Sequence, residues 1–364
     1  MGDAAVTSPP ASAASSHGQI KALNALRGLA ALLVVFSHLP DFAGMHFGPP
    51  REGHLGVMVF FTLSGFLMGL LYLGQPVTRR TVSAYAVARF SRIAPPYLIV
   101  VLLAFAVYTL ADPAFPYAIG PQNLLRHLLF SGNVSVLWSI PPEVQFYALF
   151  IGLWWAVQRA ATGRGAGALI AVLAITVAAI CLRGMVPGTF VASKLHYFLM
   201  GSLLGWLHPR WRAAPISTLS LTLLQGGLLI CFALFMVGTI GLGENYWLDL
   251  APVLVCGLVV FAFSHDRTAV DTVLAARPLQ WLGDWSFSLY LLHVPALYLL
   301  NKAGFMESMP ARWTSVALAI AACAGFSLLV EHPACAATKR RLNALVRRTD
   351  TPQPSPLLAT DRRP

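Results

Sequence analysis

Residues Leu23–Leu39 read LNALRGLAALLVVFSHL. Apart from Asn24, Arg27, Ser37 and His38, every residue in this run is apolar or glycine. The pattern predicts a helix inserted in a bilayer, where charged and titratable side chains are costly and mark candidate functional sites. Arg27 and His38 are eleven positions apart. At 100° per residue they fall within about 20° of one helix face, with a rise of about 16 Å between them. One face therefore carries a fixed cation near one end and a titratable base near the other. The alternative for His38 is a histidine that only packs.

The rest of the chain extends this reading. Its 364 residues are 57% hydrophobic and only 11% charged, with a mean hydropathy of +0.68. Soluble domains carry about 25% charged residues. Apolar stretches recur near 21–39, 54–73, 83–110, 137–157, 166–184, 189–207, 216–240, 246–264, 281–300 and 312–332. The fold class expected is all-α, a polytopic transmembrane bundle of about ten spans forming one domain over residues 20–335. Residues 1–19, rich in Ala, Ser and Pro, read as a disordered tail. Residues 336–364 read as a basic, Pro-containing and mobile tail.

The net charge of +11 could suggest nucleic acid, but the basic residues sit in short loops and at the end of the chain. With a cytoplasmic N-terminus, sixteen Lys and Arg fall on the inner side, including Arg79, Arg80, Arg159, Arg164, Lys339 and Arg340, against six outside. That bias predicts a multi-pass protein of the plasma (inner) membrane with both termini cytoplasmic, surrounded by lipid and not bound to nucleic acid. The five cysteines lack C-x-x-C spacing and read as small buried residues, with no metal site expected.

Three further positions carry chemistry. Arg89 and Arg92, in YAVARFSRIAPPY, share a helix face at spacing three. Entering from the cytoplasm they would lie at the depth of Arg27, and three guanidinium groups without acids call for an anionic ligand such as phosphate. Snorkelling to the headgroups is the alternative. A histidine about 16 Å farther out fits an extended pantetheine arm, with the nucleotide at the arginines and the thioester at His38. Glu143, in VLWSIPPEVQFYALF, could orient His38, bind an acceptor hydroxyl or favour its helix N-terminus. Ser64, Gly65 and Gly69 read as small residues for close helix packing. His293 is a secondary candidate, and Asp284 and Glu331 read as interfacial.

In order, these residues resemble the acyltransferase 3 family of integral membrane O-acyltransferases, from about Leu23 to His332. The match runs through Arg27-x10-His38, GVMVFFTLSGF at 56–66, Arg89-x-x-Arg92, Trp138-Ser139-x3-Glu143-x2-Phe146-Tyr147 and SLYLLH ending at His293. The resemblance implies acyl transfer from cytoplasmic acyl-CoA, acetyl-CoA first among them, with no permanently bound cofactor. The acceptor implied is a hydroxyl of a cell-surface or secreted glycan, a lipid-linked sugar or a small glycosylated metabolite. Carried over by motif, His38 is catalytic with Glu143, Arg27, Arg89 and Arg92 hold the donor, and Tyr147 and His293 face the acceptor. Some relatives carry an appended soluble domain. The sequence is read as lacking one, so transfer is expected either alone or with a separate glycan-assembly partner. The competing class is a transporter of acyl groups or lipid-linked sugars, but no internal repeat of the kind transporters use is visible.

Overall fold

The computed structural model describes residues 20–46, 48, 52–163, 165–243 and 245–350. The expected N-terminal tail and residues 351–364 lie outside them, as do Arg51, Arg164, Arg362 and Arg363. Among the described residues the chain is helical without strands. The elements are α1 (Lys21–Ser37), α2 (Leu39–Ala43), α3 (Glu52–Tyr72), α4 (Arg79–Leu110), α5 (Pro121–Leu128), α6 (Ile140–Ala161) and α7 (Ala166–Cys181). There follow α8 (Leu195–Ala213), α9 (Thr218–Met236), α10 (Ala251–Phe263), α11 (Ala269–Leu274), α12 (Arg277–Lys302), α13 (Met309–Phe326) and α14 (His332–Asp350).

Each of the ten apolar stretches forms a helix. Among the described residues, five helical segments are long and apolar enough to cross a bilayer on length and composition: 52–72, 79–110, 135–161, 218–236 and 309–347. Helix α4 has 32 residues and runs through Pro95-Pro96. At about 48 Å it is longer than a hydrocarbon core of about 30 Å. Its start is fixed by Thr78, whose Oγ1 accepts from the Thr81 amide at 3.1 Å. Helix α14 continues the last apolar segment to Asp350, so the stretch expected to begin a mobile tail at 336 is helical and packs on α4. A π turn at Ser327–Glu331 joins α13 to α14.

Small residues set the packing. A Cβ on Gly65 would lie 2.0 Å from the Phe198 carbonyl oxygen, and one on Gly201 would lie 2.0 Å from that of Thr62. Gly69 and Gly205 repeat the arrangement one turn on. Helices α3 and α8 thus meet backbone to backbone, as small residues at spacing four allow. Their contacts advance together along both helices, so α3 and α8 are parallel. Helices α1 and α12 are parallel too: Asn24 meets Gln280, Gly28 meets Gly283 and His38 meets His293. Helix α1 runs antiparallel to α3, with Gly56 against Ala30 and Gly53 against Ser37. These close contacts bring α1, α3 and α12 together, and α4 and α6 complete the wall around a small internal cavity.

Candidate active site

The cavity has a volume of about 80 Å³, room for a few waters. Its polar lining is Arg27 from α1, Ser64 from α3, Arg89 and Arg92 from α4, Ser139, Glu143 and Tyr147 around the start of α6, and Ser286 and Tyr290 from α12. Phenylalanines and aliphatic side chains, among them Phe60, Phe61, Ile93 and Ile140, form the rest. Two helices, α1 and α4, therefore bring together the three arginines that the spacing placed at one depth. Arg92 is exposed while Arg27 and Arg89 are half-buried. The positive charge thus runs from the surface inward.

Helix α6 begins at Ile140 with Pro141 and Pro142 in its first turn, where their missing N–H groups have no intrahelical partner to lose. That start places Glu143 in the first turn, facing the cavity. Its Oε1 accepts from the Ser64 hydroxyl at 2.7 Å and from the Tyr147 hydroxyl at 2.6 Å, and Ser64 Oγ lies 3.3 Å from Tyr147 OH. Tyr147 is one helical turn after Glu143, so the phenol returns to the carboxylate of its own helix. The expectation that the arginines gather without acids is corrected: Glu143 lines the same cavity. Three guanidinium groups still face one lining carboxylate. Arg27 Nη2 donates to Ser286 Oγ at 3.1 Å, and Arg89 Nε is buried without a hydrogen-bond partner.

Glu331 also departs from expectation. It is buried, 2% exposed, and not interfacial. The π turn rotates it inward, where the hydroxyls of Ser288 and Ser327 donate to its Oε2 at 2.5 and 3.1 Å. Asp284, by contrast, is exposed and accepts from Asn24 Nδ2 at 3.1 Å.

His38 caps the C-terminus of α1 and is absent from the cavity lining. It pairs with His293, with ring centroids 4.9 Å apart and His293 Nε2 3.3 Å from His38 Nδ1. The structure thus divides the expected residues. Arg27, Arg89, Arg92, Glu143 and Tyr147 share the cavity, while His38 and His293 form a second polar cluster farther along α1 and α12. Ser64 joins the cavity although a hydroxyl beside a packing glycine looks in sequence like a packing residue, and Ser286 joins it unannounced. Ser64 does border the α3–α8 contact through Gly65, but its own side chain turns to Glu143.

Residues 20–332 match an acyltransferase domain family, Acyl_transf_3. Among curated proteins the chain is 24% identical to the peptidoglycan O-acetyltransferase OatA of Listeria monocytogenes, over 78% of this chain and 50% of that protein. It therefore spans about half the length of that relative. It is 28% identical to the exopolysaccharide production protein ExoZ of Rhizobium meliloti, over 77% of this chain and 87% of that protein. It is 26% identical to the acyltransferase MdmB of Streptomyces mycarofaciens, over 76% of this chain and 78% of that protein. No solved structure matches. With its match covering nearly the whole helical domain, the chain belongs to the acyltransferase 3 family.

Proposed function

We propose that this protein moves an acyl group, acetyl in the first instance, from cytoplasmic acyl-CoA to a hydroxyl of a cell-surface glycan or lipid-linked sugar. The observation that carries the reading is the cavity in which three arginines outnumber one lining carboxylate. Such an excess of cations favours a polyanionic ligand, and guanidinium forks suit phosphate oxygens. In this reading Arg92, Arg89 and Arg27 take the phosphates of the donor. The acyl arm then runs outward along α1 toward His38, about 16 Å away by helix rise.

The chemistry follows from that placement. The acceptor oxygen attacks the thioester carbon, a C–O bond forms, the C–S bond breaks and the thiolate leaves. The acceptor proton passes to the bare nitrogen of His38, and from there it neutralises the thiolate. Glu143, held by Ser64 and Tyr147, offsets part of the arginine charge and keeps the cavity wall in one geometry. Tyr147 and His293 face the acceptor in this reading. Ten crossings in the inner membrane with both termini cytoplasmic complete the reading. The parallel pairs α1/α12 and α3/α8 and the antiparallel pair α1/α3 support it, since they match first with ninth, second with sixth and first with second crossings.

Glycan acceptors are favoured by the similarity to the peptidoglycan O-acetyltransferase of Listeria and the exopolysaccharide production protein of Rhizobium. A small glycosylated metabolite is the other acceptor class. The test is to reconstitute the protein in vesicles, supply acetyl-CoA and acceptor on defined sides, and look for a new O-acetyl ester by mass spectrometry. Ester formed without acyl-CoA would remove the donor assignment. Transport of acyl groups without ester formation would replace the enzyme by the transporter reading.

A further inference from the structure

Two carbonyl oxygens determine where the protons of the histidine pair sit. His293 Nδ1 lies 2.9 Å from the Leu289 carbonyl oxygen, and His38 Nδ1 lies 2.9 Å from that of Val34. A carbonyl oxygen only accepts, so each Nδ1 carries a hydrogen. Neutral His293 must then present a bare Nε2, and that atom is 3.3 Å from the Nδ1–H of His38. Ser37 is consistent with this arrangement: its hydroxyl donates to the Val34 oxygen at 2.7 Å, leaving its own oxygen to accept from His38 Nδ1 at 3.2 Å. Every partner of His38 Nδ1 therefore treats it as a donor. His38 Nε2 is left as the unprotonated nitrogen, with no hydrogen bond among the described residues.

We propose that His293 is a positioning residue whose bare Nε2 accepts from His38 Nδ1–H and so holds the His38 ring with Nε2 as the attacking base. This rests on the reading of His38 as the base and reassigns His293 from acceptor contact to orientation. His293 is 1% exposed and sits on α12, whose parallel packing on α1 is fixed by the Gly28–Gly283 contact. It is therefore a rigid partner. When His38 takes up the acceptor proton, the hydrogen bond to His293 becomes charge-assisted and strengthens. An interaction that strengthens toward the transition state acts on kcat and not on KM. Of the titratable groups on the other elements near the pair, Glu52 at the start of α3 lies in coulombic range of His38 and of His46.

The test uses the full chain in nanodiscs, comparing His293→Leu and His293→Gln with the unaltered protein and His38→Gln. His293→Leu should lower kcat about 10- to 100-fold with KM for donor and acceptor unchanged. His293→Gln, whose Oε1 can accept at the same place, should recover part of that loss. Nitrogen-15 NMR of labelled histidines, with the His38 signal assigned by its loss in His38→Gln, should show a protonated Nδ1 and a bare Nε2. A His293→Leu variant with ordinary kcat, or a His38 carrying its proton on Nε2, overturns the proposal. Should His293→Leu not fold, the NMR of the unaltered protein and the kcat of His293→Gln still decide. Activity retained in His38→Gln would instead overturn the base reading, while an inactive His38→Gln beside an ordinary His293→Leu removes the positioning role alone.

Discussion

Ser64 on α3 and Glu143 on α6, 79 positions apart, are joined by a hydrogen bond of 2.7 Å across the cavity that also holds Arg27, Arg89 and Arg92. The carboxylate is thereby fixed by a hydroxyl from a second helix as well as by Tyr147 from its own. Glu143→Gln keeps the size of the side chain and removes the charge that opposes the arginines. We expect product formation to fall at least tenfold, since hydrogen bonds to charged groups contribute about 1.5–3 kcal/mol. Ser64→Ala leaves the Tyr147 contact in place, and its loss should be closer to fivefold, about 1 kcal/mol. Steady-state rates of the two purified variants check this. Ordinary activity in Glu143→Gln would reduce the carboxylate to a favourable charge at a helix N-terminus.

Arg89 and Arg92 enter from one helix at different exposures, so their contributions should differ. Arg89 is half-buried with an unpartnered Nε, whereas Arg92 is exposed to competing solvent. Arg89→Ala should weaken acetyl-CoA binding about 10- to 100-fold, and Arg92→Ala less. Lysine at either position should restore only part of the affinity, because an ammonium lacks the fork. Isothermal titration with the inserted protein reads both. Unchanged donor affinity in the double alanine variant would leave the arginines as lipid-headgroup contacts.

The α3–α8 contact leaves no space for a methyl group. Gly201→Ala puts a carbon 2.0 Å from the Thr62 carbonyl oxygen, and backbone cannot yield as a flexible side chain can. Overpacking of this kind costs about 1–3 kcal/mol. Gly226→Ala, in α9 where an added Cβ meets nothing within 4 Å, should be neutral or slightly stabilising, as alanine is the better helix former. Thermal unfolding in detergent should separate the two, and equal midpoints would contradict the close packing.

How much of this was legible in the sequence depends on the range of the interaction. The helices and the shared depth of Arg27, Arg89 and Arg92 follow from apolar run length and 3.6-residue periodicity, which are local. Gly65 and Gly69 announced a close contact, though not that α8 would supply it. The Ser64–Glu143 bond and the His38–His293 pair, the latter 255 positions apart, depend on which helices become neighbours. No local pattern carries that information. Glu331 was misread because its burial depends on a π turn, one extra residue that changes the face and has no composition signal.

Outside the apolar segments, Asp112 gives a pH-dependent link between the loop after α4 and the end of α12. Its Oδ2 accepts from Lys302 Nζ at 2.6 Å and from Tyr298 OH at 2.8 Å. Those two donors hold the Asp112 carboxyl below its usual value. The folded value is therefore depressed relative to the unfolded one, near 3.9. The stabilisation is complete above that value and is lost as pH falls through the lower folded value. Lys302→Met should lower the unfolding midpoint a little at pH 7, where the link is complete, and leave it unchanged at pH 3, so that most of this acid sensitivity disappears; the effect is small because the pair is partly exposed. Unfolding midpoints between pH 7 and pH 3 compare the two proteins. A variant as acid-sensitive as the parent would show that the loop is held by other contacts.

His38 separates the enzymatic reading from the packing one. It stands at the end of α1, one face with Arg27, and its one Nδ1 hydrogen is shared among the Val34 oxygen, Ser37 Oγ and His293 Nε2. Only Nε2 remains to take the acceptor proton. His38→Ala should abolish product while insertion and acetyl-CoA affinity stay near normal, because the arginine cavity does not include it. General bases contribute about 10²- to 10⁴-fold, so the loss should be at least a hundredfold. His38→Gln retains hydrogen-bonding capacity and some of the ring's volume but cannot accept the proton. If His38 only packs, glutamine should keep substantial activity. If it is the base, glutamine should be as inactive as alanine, and an assay of O-acetyl ester formed by the two purified variants distinguishes these outcomes.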